Sequence, residues 1–252
     1  RIDNSLNALC AAISRCDEWR TLCADRVHKH AARYDAPGTD IYAPALLKRI
    51  SELAPDAIVA CDVGQHQMWV AQHWGFKDPT HHLSSAGLGT MGFGLPAAIG
   101  AQLSNPGATV VCVSGDGSIQ MNIQELATVA RERLPIKIVL LDNQALGMVR
   151  QWQELFFQER YSAVDLSDNP DFGLIAQAYR IPAMRLDSRA DLEATLAEFL
   201  AIDGPAFLHV AIDQKANVWP LVPPNKSNTE MLDAPAQADA VAHDESKEFV
   251  HA

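Results

Sequence analysis

The sequence predicts an α/β fold, three layers α/β/α around a mostly parallel sheet. Two stretches carry that expectation: Thr109-Val-Val-Cys-Val-Ser-Gly-Asp-Gly-Ser118 and Leu140-Leu-Asp-Asn-Gln-Ala-Leu-Gly147. Each begins as a short apolar run and ends in a polar turn, the pattern of a buried parallel strand. Behind each turn apolar residues recur at helical spacing. Ile119, Ile123, Leu126 and Ala130 follow the first turn, with Ser118 at the N-cap, and Met148, Trp152 and Phe156 follow the second. Strand, turn and helix repeated in this order build a parallel sheet. The two strands therefore end at the same sheet edge, and Asp116 and Asn143 arrive side by side although 27 residues separate them.

The remaining elements follow in chain order. Residues 1–34 carry helical patterning (Leu6, Leu9, Ala12, Ile13, then Trp19, Leu22, Val27) and read as the end of a preceding domain with a connecting helix. The turn at 35–39 is the boundary of the main domain, 35–216. A helix spans 44–53, with Pro44 acceptable in its first turn. A strand follows at 57–62, with an exit turn at 63–67. The segment 83–100 reads as an apolar helix interrupted by glycines, among which Gly87-Leu-Gly89-Thr-Met91 looks shaped for close backbone contact. After the central pair come a helix over 145–157, another capped by Asn169-Pro-Asp-Phe, and a short strand at 184–186. A helix at 191–202 and a buried strand at 206–212 complete the domain. Val218-Trp-Pro-Leu-Val-Pro-Pro224 is too proline-rich for helix or central strand and reads as a lid-like arm, 217–233. From 234 onward the residues are small and charged, which predicts disorder.

Composition narrows the function. A net charge of −11 over 252 residues argues against a nucleic-acid surface. No apolar run approaches the roughly 18 residues of a membrane span. The five cysteines show no CxxC pair, which fits a reducing, cytoplasmic setting. The sequence starts at Arg1 with no targeting pattern, so it is expected to be part of something longer. His73, His81 and His82 are too scattered to suggest a metal.

Asp116 and Asn143 beside the Gly115-Asp-Gly117 turn suit a hard cation that holds a phosphate, because Mg²⁺ takes one or two carboxylates plus phosphate oxygens. The amides of Gly117 and Ser118, with the helix dipole, favour the anion. A surface-turn Asp with a capping Asn is the simpler reading of each residue alone. Pairing at strand ends favours the metal. Gln65 and His66 lie at another strand's carboxyl end, where ligands of open α/β sheets bind. A polarisable Met91 beside bare backbone suits the underside of a flat heteroaromatic ring.

Taken together, these residues resemble the thiamine diphosphate signature. Asp62-Val-Gly-Gln-His-Gln-Met-Trp69, Gly87-Leu-Gly-Thr-Met-Gly-Phe-Gly-Leu-Pro-Ala-Ala98, Asn122-Ile-Gln-Glu-Leu126, Gly147-Met-Val-Arg-Gln-Trp-Gln153 and the 218–224 segment narrow it further. They resemble the acetohydroxyacid (acetolactate) synthase catalytic subunit, in its bacterial isozyme II type, over about residues 35–231. The resemblance implies a thiamine diphosphate-binding fold and Mg²⁺ held by Asp116, Asn143 and the Ala145 carbonyl. It implies a cofactor cradle of Gly64, Gln65, His66, Gly89, Met91, Gly115, Asp116, Gly117, Ser118, Asn143, Ala145, Leu146, Gly147 and Met148. Gln65 and His66 would reach the diphosphate, Gly89 would accept from the aminopyrimidine, and Met91 would bend the two rings together. Met148 and Trp152 would line the pocket for the acceptor 2-oxoacid. The implied reaction is a transfer: decarboxylation of pyruvate and joining to pyruvate or 2-oxobutyrate, in branched-chain amino acid biosynthesis. One departure is Asp142, where many thiamine enzymes have a second Asn.

The resemblance also implies what these residues do not contain: a pyrimidine-binding domain with an activating glutamate, and a domain holding FAD. Glu125 is the local candidate for that glutamate, but its position suggests that it faces away from the site. A homodimer or tetramer with a small regulatory subunit is implied for the whole enzyme. Two rival readings remain at this point. One is a non-catalytic binding module; the other is a different thiamine diphosphate-dependent decarboxylase or carboligase with its domains on separate chains.

Overall fold

Along the long strands, side chains alternate between two apolar layers, as a period of two requires. Val59, Cys61, Val111, Val113, Val139, Leu141, Leu208 and Val210 face one cluster. Ile58, Ala60, Val110, Cys112, Ile138, Leu140 and Phe207 face the other. A sheet buried on both faces needs helices on both faces. The computed structural model has them, and it describes residues 17–29, 32, 34–36 and 38–234.

In order, the elements are α1 (Asp17–Lys29), α2 (Ala43–Leu53), β1 (Ile58–Cys61), α3 (Gln65–His73), β2 (His82–Ser84) and α4 (Gly94–Ser104). Then come β3 (Val110–Gly115), α5 (Asp116–Ile119), α6 (Leu126–Arg131), β4 (Lys137–Asp142) and α7 (Gly147–Phe156). The chain continues through α8 (Phe172–Ala178), β5 (Ala183–Leu186), α9 (Leu192–Ala201) and β6 (Ala206–Ala211). The sheet order is β2-β1-β3-β4-β6-β5, and every pairing is parallel. Residues of α2, α3 and α9 cover the first face; those of α4, α5, α6 and α8 cover the second. The three-layer α/β/α expectation holds.

The chain divides into two units after Gly38, close to the expected boundary turn. In the first unit α1 is polar, and its Trp19 and Val27 are exposed. The helical patterning expected for Leu6, Leu9, Ala12 and Ile13, and the disorder expected beyond 234, lie outside the described residues. Among the described residues no helix is long and apolar enough to cross a membrane.

Three expectations are corrected. Residues 65–67 do not form an exit turn but open α3, whose buried face includes the polar Gln65 and His66 and so carries little apolar periodicity. The stretch 119–130 is not one helix capped by Ser118. Gly115 is the cap, α5 stops after one turn, a 3₁₀ turn (Ile123–Glu125) follows, and α6 starts anew. The break falls at Asn122, whose side chain is drawn off to donate to the Gly92 carbonyl at 2.7 Å. Third, 83–100 is not one interrupted helix: β2 ends at Ser84, and α4 begins only at Gly94. As expected, Asn169-Pro-Asp-Phe caps α8, through Asp171, which accepts from Leu174 N–H at 2.9 Å. The 217–233 arm is seated at its start by the buried side chains of Val218 and Leu221.

Phe207 sits on β6 with no exposed surface. Phe207→Ala is expected to cost about 3–5 kcal/mol, since the cavity it leaves lies between sheet and helices that cannot collapse into it. Urea unfolding of the variant against the parent checks this.

Candidate functional site

Because all six strands run the same way, every strand releases its chain at one edge. A cavity of about 370 Å³ opens there. It is lined by residues 63–69 after β1, Gly89 and Met91 after β2, 115–118 after β3, 143 and 145–149 after β4, and Ile212 after β6. The strand order reverses between β1 and β3, which is where open α/β sheets bind ligands. All the residues singled out in the sequence as a cofactor cradle line this one cavity. Trp152 does not: it lies one turn beyond Met148 on α7, with its ring edge-on to Phe156 at 5.3 Å. Glu125 is also absent from the lining; it accepts from the Thr128 hydroxyl at 2.9 Å.

Asp116 and Asn143 are brought together by sheet register. Gly115 pairs with Leu141, so the chains leave β3 and β4 side by side. Asn169 donates to Asp116 Oδ2 at 2.9 Å, and Gln120 steadies Asn169 at 3.0 Å. Burial, and then the negative charge of Asp142, push the Asp116 carboxyl up to about 7. Asp142 is buried too, but hydrogen bonds from His209 and the Gln144 amide hold it below the usual carboxylate range. Of the two acids, Asp116 is therefore the one that gives up its proton less readily. Asn143 donates to Gln65 Oε1 at 3.2 Å and accepts from Ala145 N–H at 3.2 Å. These two bonds fix which end of its amide is oxygen.

Gln65 was expected to reach a diphosphate, but its amide is spent inside the protein. Its Nε2 donates to Gln151 Oε1 at 3.0 Å and to the Ala216 carbonyl at 2.8 Å. Gln151 then grips the backbone of Val218 from both sides, at 2.9 Å each. Asn143, Gln65, Gln151 and the arm thus form one buried chain of amides. Gly147 lies against it, and a Cβ there would collide with Gln65 Oε1 and Asn143 Nδ2.

The Met91 loop is braced from two sides. Asp62, buried at the end of β1, accepts from the amides of Gly92 at 2.8 Å and Gly94 at 3.1 Å. Asn122 holds the Gly92 carbonyl. Met91 Cε comes within 3.6 Å of where a Cβ on Gly117 would be, and Leu146 Cδ2 within 2.6 Å. A side chain at 117 would have to displace the tip of Leu146. The helix-dipole expectation is dropped, because α5 has four residues and almost no macrodipole.

The family described as "Thiamine pyrophosphate enzyme, C-terminal TPP binding domain" matches residues 62–210. The chain belongs to this family. Among thiamine pyrophosphate domains its relatives include the acetolactate synthase isozyme 2 large subunit of Escherichia coli (strain K12). That protein is 56% identical over 236 residues, covering 92% of this chain and 43% of the relative. The acetolactate synthase large subunit of Parasynechococcus marenigrum (strain WH8102) is 48% identical over 200 residues, 79% of this chain and 32% of its own. The mitochondrial catalytic subunit of Saccharomyces cerevisiae is 42% identical over 199 residues, 77% and 29% respectively. The chain thus spans less than half the length of these relatives.

Two features suit the thiamine pyrophosphate group. The cavity's glycines leave a floor that side chains would fill: a Cβ at Gly115 would stand 2.8 Å from the His66 ring. And His66, buried in the wall, has an Nε2 with no hydrogen-bond partner among the described residues. Sequence reasoning missed Asp62, Gln151, Asn169 and His209. The signals were a carboxylate ending β1 and a polar residue inside the apolar run of β6; for the other two there was none beyond position.

Burial holds His66 neutral, with its pKa lowered to about 3. The unfolded chain takes up a proton near pH 6.5 that the folded chain refuses, so stability falls as pH drops from about 6.5 towards 3. At about 1.36 kcal/mol per pH unit this term removes about 2 kcal/mol between pH 6.5 and 5. His66→Gln is expected to flatten that dependence by the same amount, read from urea unfolding at both pH values. Equal slopes for variant and parent would show that His66 is not held neutral.

Proposed function

We propose that this chain is the diphosphate- and Mg²⁺-binding part of an acetolactate synthase, a transferase that joins pyruvate to pyruvate or 2-oxobutyrate with loss of CO₂. The observation that carries the reading is that Asp116 and Asn143, at the ends of adjacent parallel strands, line one cavity together with Met91. The names of the relatives support the reaction.

On this reading Asp116, Asn143 and the Ala145 carbonyl hold Mg²⁺, an oxygen-only set of the kind that ion prefers when phosphate supplies further ligands. With the ion in place of a proton, Asp116 can be ionised beside Asp142 without an uncompensated pair of negative charges. His66 lies beside the diphosphate, where a bond to a phosphate oxygen requires a proton on Nε2, while Gln65 acts indirectly by orienting Asn143. The Gly89 carbonyl accepts from the aminopyrimidine, and Met91 gives the rings an apolar support that Asp62 and Asn122 keep in place. Met148 walls the side where the acceptor 2-oxoacid enters, and Trp152, one turn beyond, meets the acceptor's far end at the rim. When bound, thiamine diphosphate supplies a nucleophilic carbon and an electron sink for the loss of CO₂. The resemblance extends the proposal to a cytoplasmic homo-oligomer with FAD, a pyrimidine-binding domain bearing the activating glutamate, and a regulatory subunit, acting in branched-chain amino acid biosynthesis.

Calorimetric titration of the chain with thiamine diphosphate is expected to show binding with Mg²⁺ and none with EDTA. Partners behind metal ligands are already worth about 10–100-fold in affinity, so Asp116→Asn is expected to lose more than about 100-fold. Cofactor binding that ignores both the ion and Asp116 would overturn the assignment. Pyruvate added to the loaded chain alone is expected to yield no acetolactate, and turnover would show that the chain needs no second domain.

A further inference from the structure

The turn after β4 delivers two of the three groups assigned to the cation, the Asn143 side chain and the Ala145 carbonyl. Its backbone passes through Gln144 at φ +54°, a left-handed conformation that a non-glycine residue holds only when its surroundings impose it. Asp142 is one source of that constraint. Its Oδ1 accepts from the Gln144 amide at 3.0 Å, and its Oδ2 accepts from His209 Nε2 at 2.7 Å across to β6.

His209 is itself held on three sides. Arg185 on β5 reaches Nδ1 at 3.4 Å. A guanidinium only donates, so Nδ1 is the acceptor, and Nε2 carries the hydrogen given to Asp142. Phe172 stands edge-on to the imidazole at 5.8 Å and 87°. The ring is buried, 4% exposed, and it does not line the cavity. An imidazole with its tautomer and plane both fixed, donating to a carboxylate that pins a left-handed turn, does more than fill space in β6.

We propose that His209, acting through Asp142, is a positioning residue for the cation site, and that it sets how strictly the site demands an ion of Mg²⁺ size. This rests on the function proposed above. Mg²⁺ needs near-octahedral ligands at about 2.0–2.1 Å, whereas Ca²⁺ accepts flexible geometry at about 2.3–2.6 Å. A turn freed from Asp142 still gathers oxygens around the larger ion but no longer presents them tightly enough for the smaller. The Asp142 departure from the Asn of many thiamine enzymes then acquires a partner: the carboxylate accepts from His209 and from Gln144 at once, with one oxygen each.

The test is thiamine diphosphate binding to the chain, titrated with Mg²⁺ and separately with Ca²⁺. His209→Leu, which removes the donor, is expected to raise half-saturating Mg²⁺ about tenfold, the low end for a lost partner behind a metal ligand. Half-saturating Ca²⁺ is expected to move less than about threefold, since that ion tolerates slack ligands. His209→Gln, with an amide N–H in place of Nε2–H, is expected to restore most of the Mg²⁺ preference. Asp142→Asn is expected to lose the preference as His209→Leu does, and the double variant to be no worse than either single one. If His209→Leu does not fold, Asp142→Asn and His209→Gln carry the comparison. A role confined to stability would lower the melting temperature and shift both ion curves together, and that result, or unshifted curves, overturns the proposal. Failure of the parent chain to bind the cofactor with either ion would instead overturn the proposed function, and this inference with it.

Discussion

The site depends on the register between β3 and β4. Gly115 pairs with Leu141, and the next residues out of the two strands supply Asp116 and Asn143. A slip of one residue would turn every side chain of a strand to the opposite face. Both strands are buried throughout, so such a slip would exchange the valines of one layer with the cysteine, isoleucine and leucine of the other. Core packing therefore fixes the spacing of the two groups proposed to hold the cation. The groups do not draw each other into place. The same register brings Asp116 against Asp142, and burial first, then the charge of Asp142, raises the pKa of Asp116. Apolar burial holds together what local electrostatics would push apart.

Strand positions were legible because each central strand is a mostly apolar run between turn residues, and the parallel order followed from the helices between them. The elements that escaped were those whose buried faces are polar or shared. α3 buries Gln65 and His66, so hydrophobic periodicity could not reveal it. β2 is three half-buried residues at the sheet edge, made regular by pairing with β1. The expected helix through 119–130 had good spacing, but Asn122 finds a better partner in the Gly92 carbonyl than in a helix. A tertiary hydrogen bond overrode a local pattern.

The cavity lining was readable for a similar reason. Glycines, Met91, Asp116 and Asn143 sit on turns directly after strands, where local sequence fixes position. The residues behind them were not readable. Asn169 looks like a helix cap until Asp116 is seen beside it, and Gln151 looks like a surface residue of α7 until the arm closes over it. His209 left a trace, a polar side chain inside Ala-Phe-Leu-His-Val-Ala. Its partner Asp142 lies 67 residues earlier and could be named only from the sheet order.

What the chain can contribute chemically follows from the titratable groups at the cavity. Among its lining residues these are Asp116 and His66. Asp116 is committed wherever a cation binds. His66 is neutral, with a pKa of about 3, so its Nε2 can accept a hydrogen bond but is far too weak a base to take a proton from a carbon acid near neutral pH. Everything else in the wall is amide, thioether, indole, hydroxyl, aliphatic or bare backbone. Such a wall binds, orients and excludes water, and it moves no proton unaided. On the proposed reaction, proton transfer would fall to the cofactor itself or to a group from outside these residues.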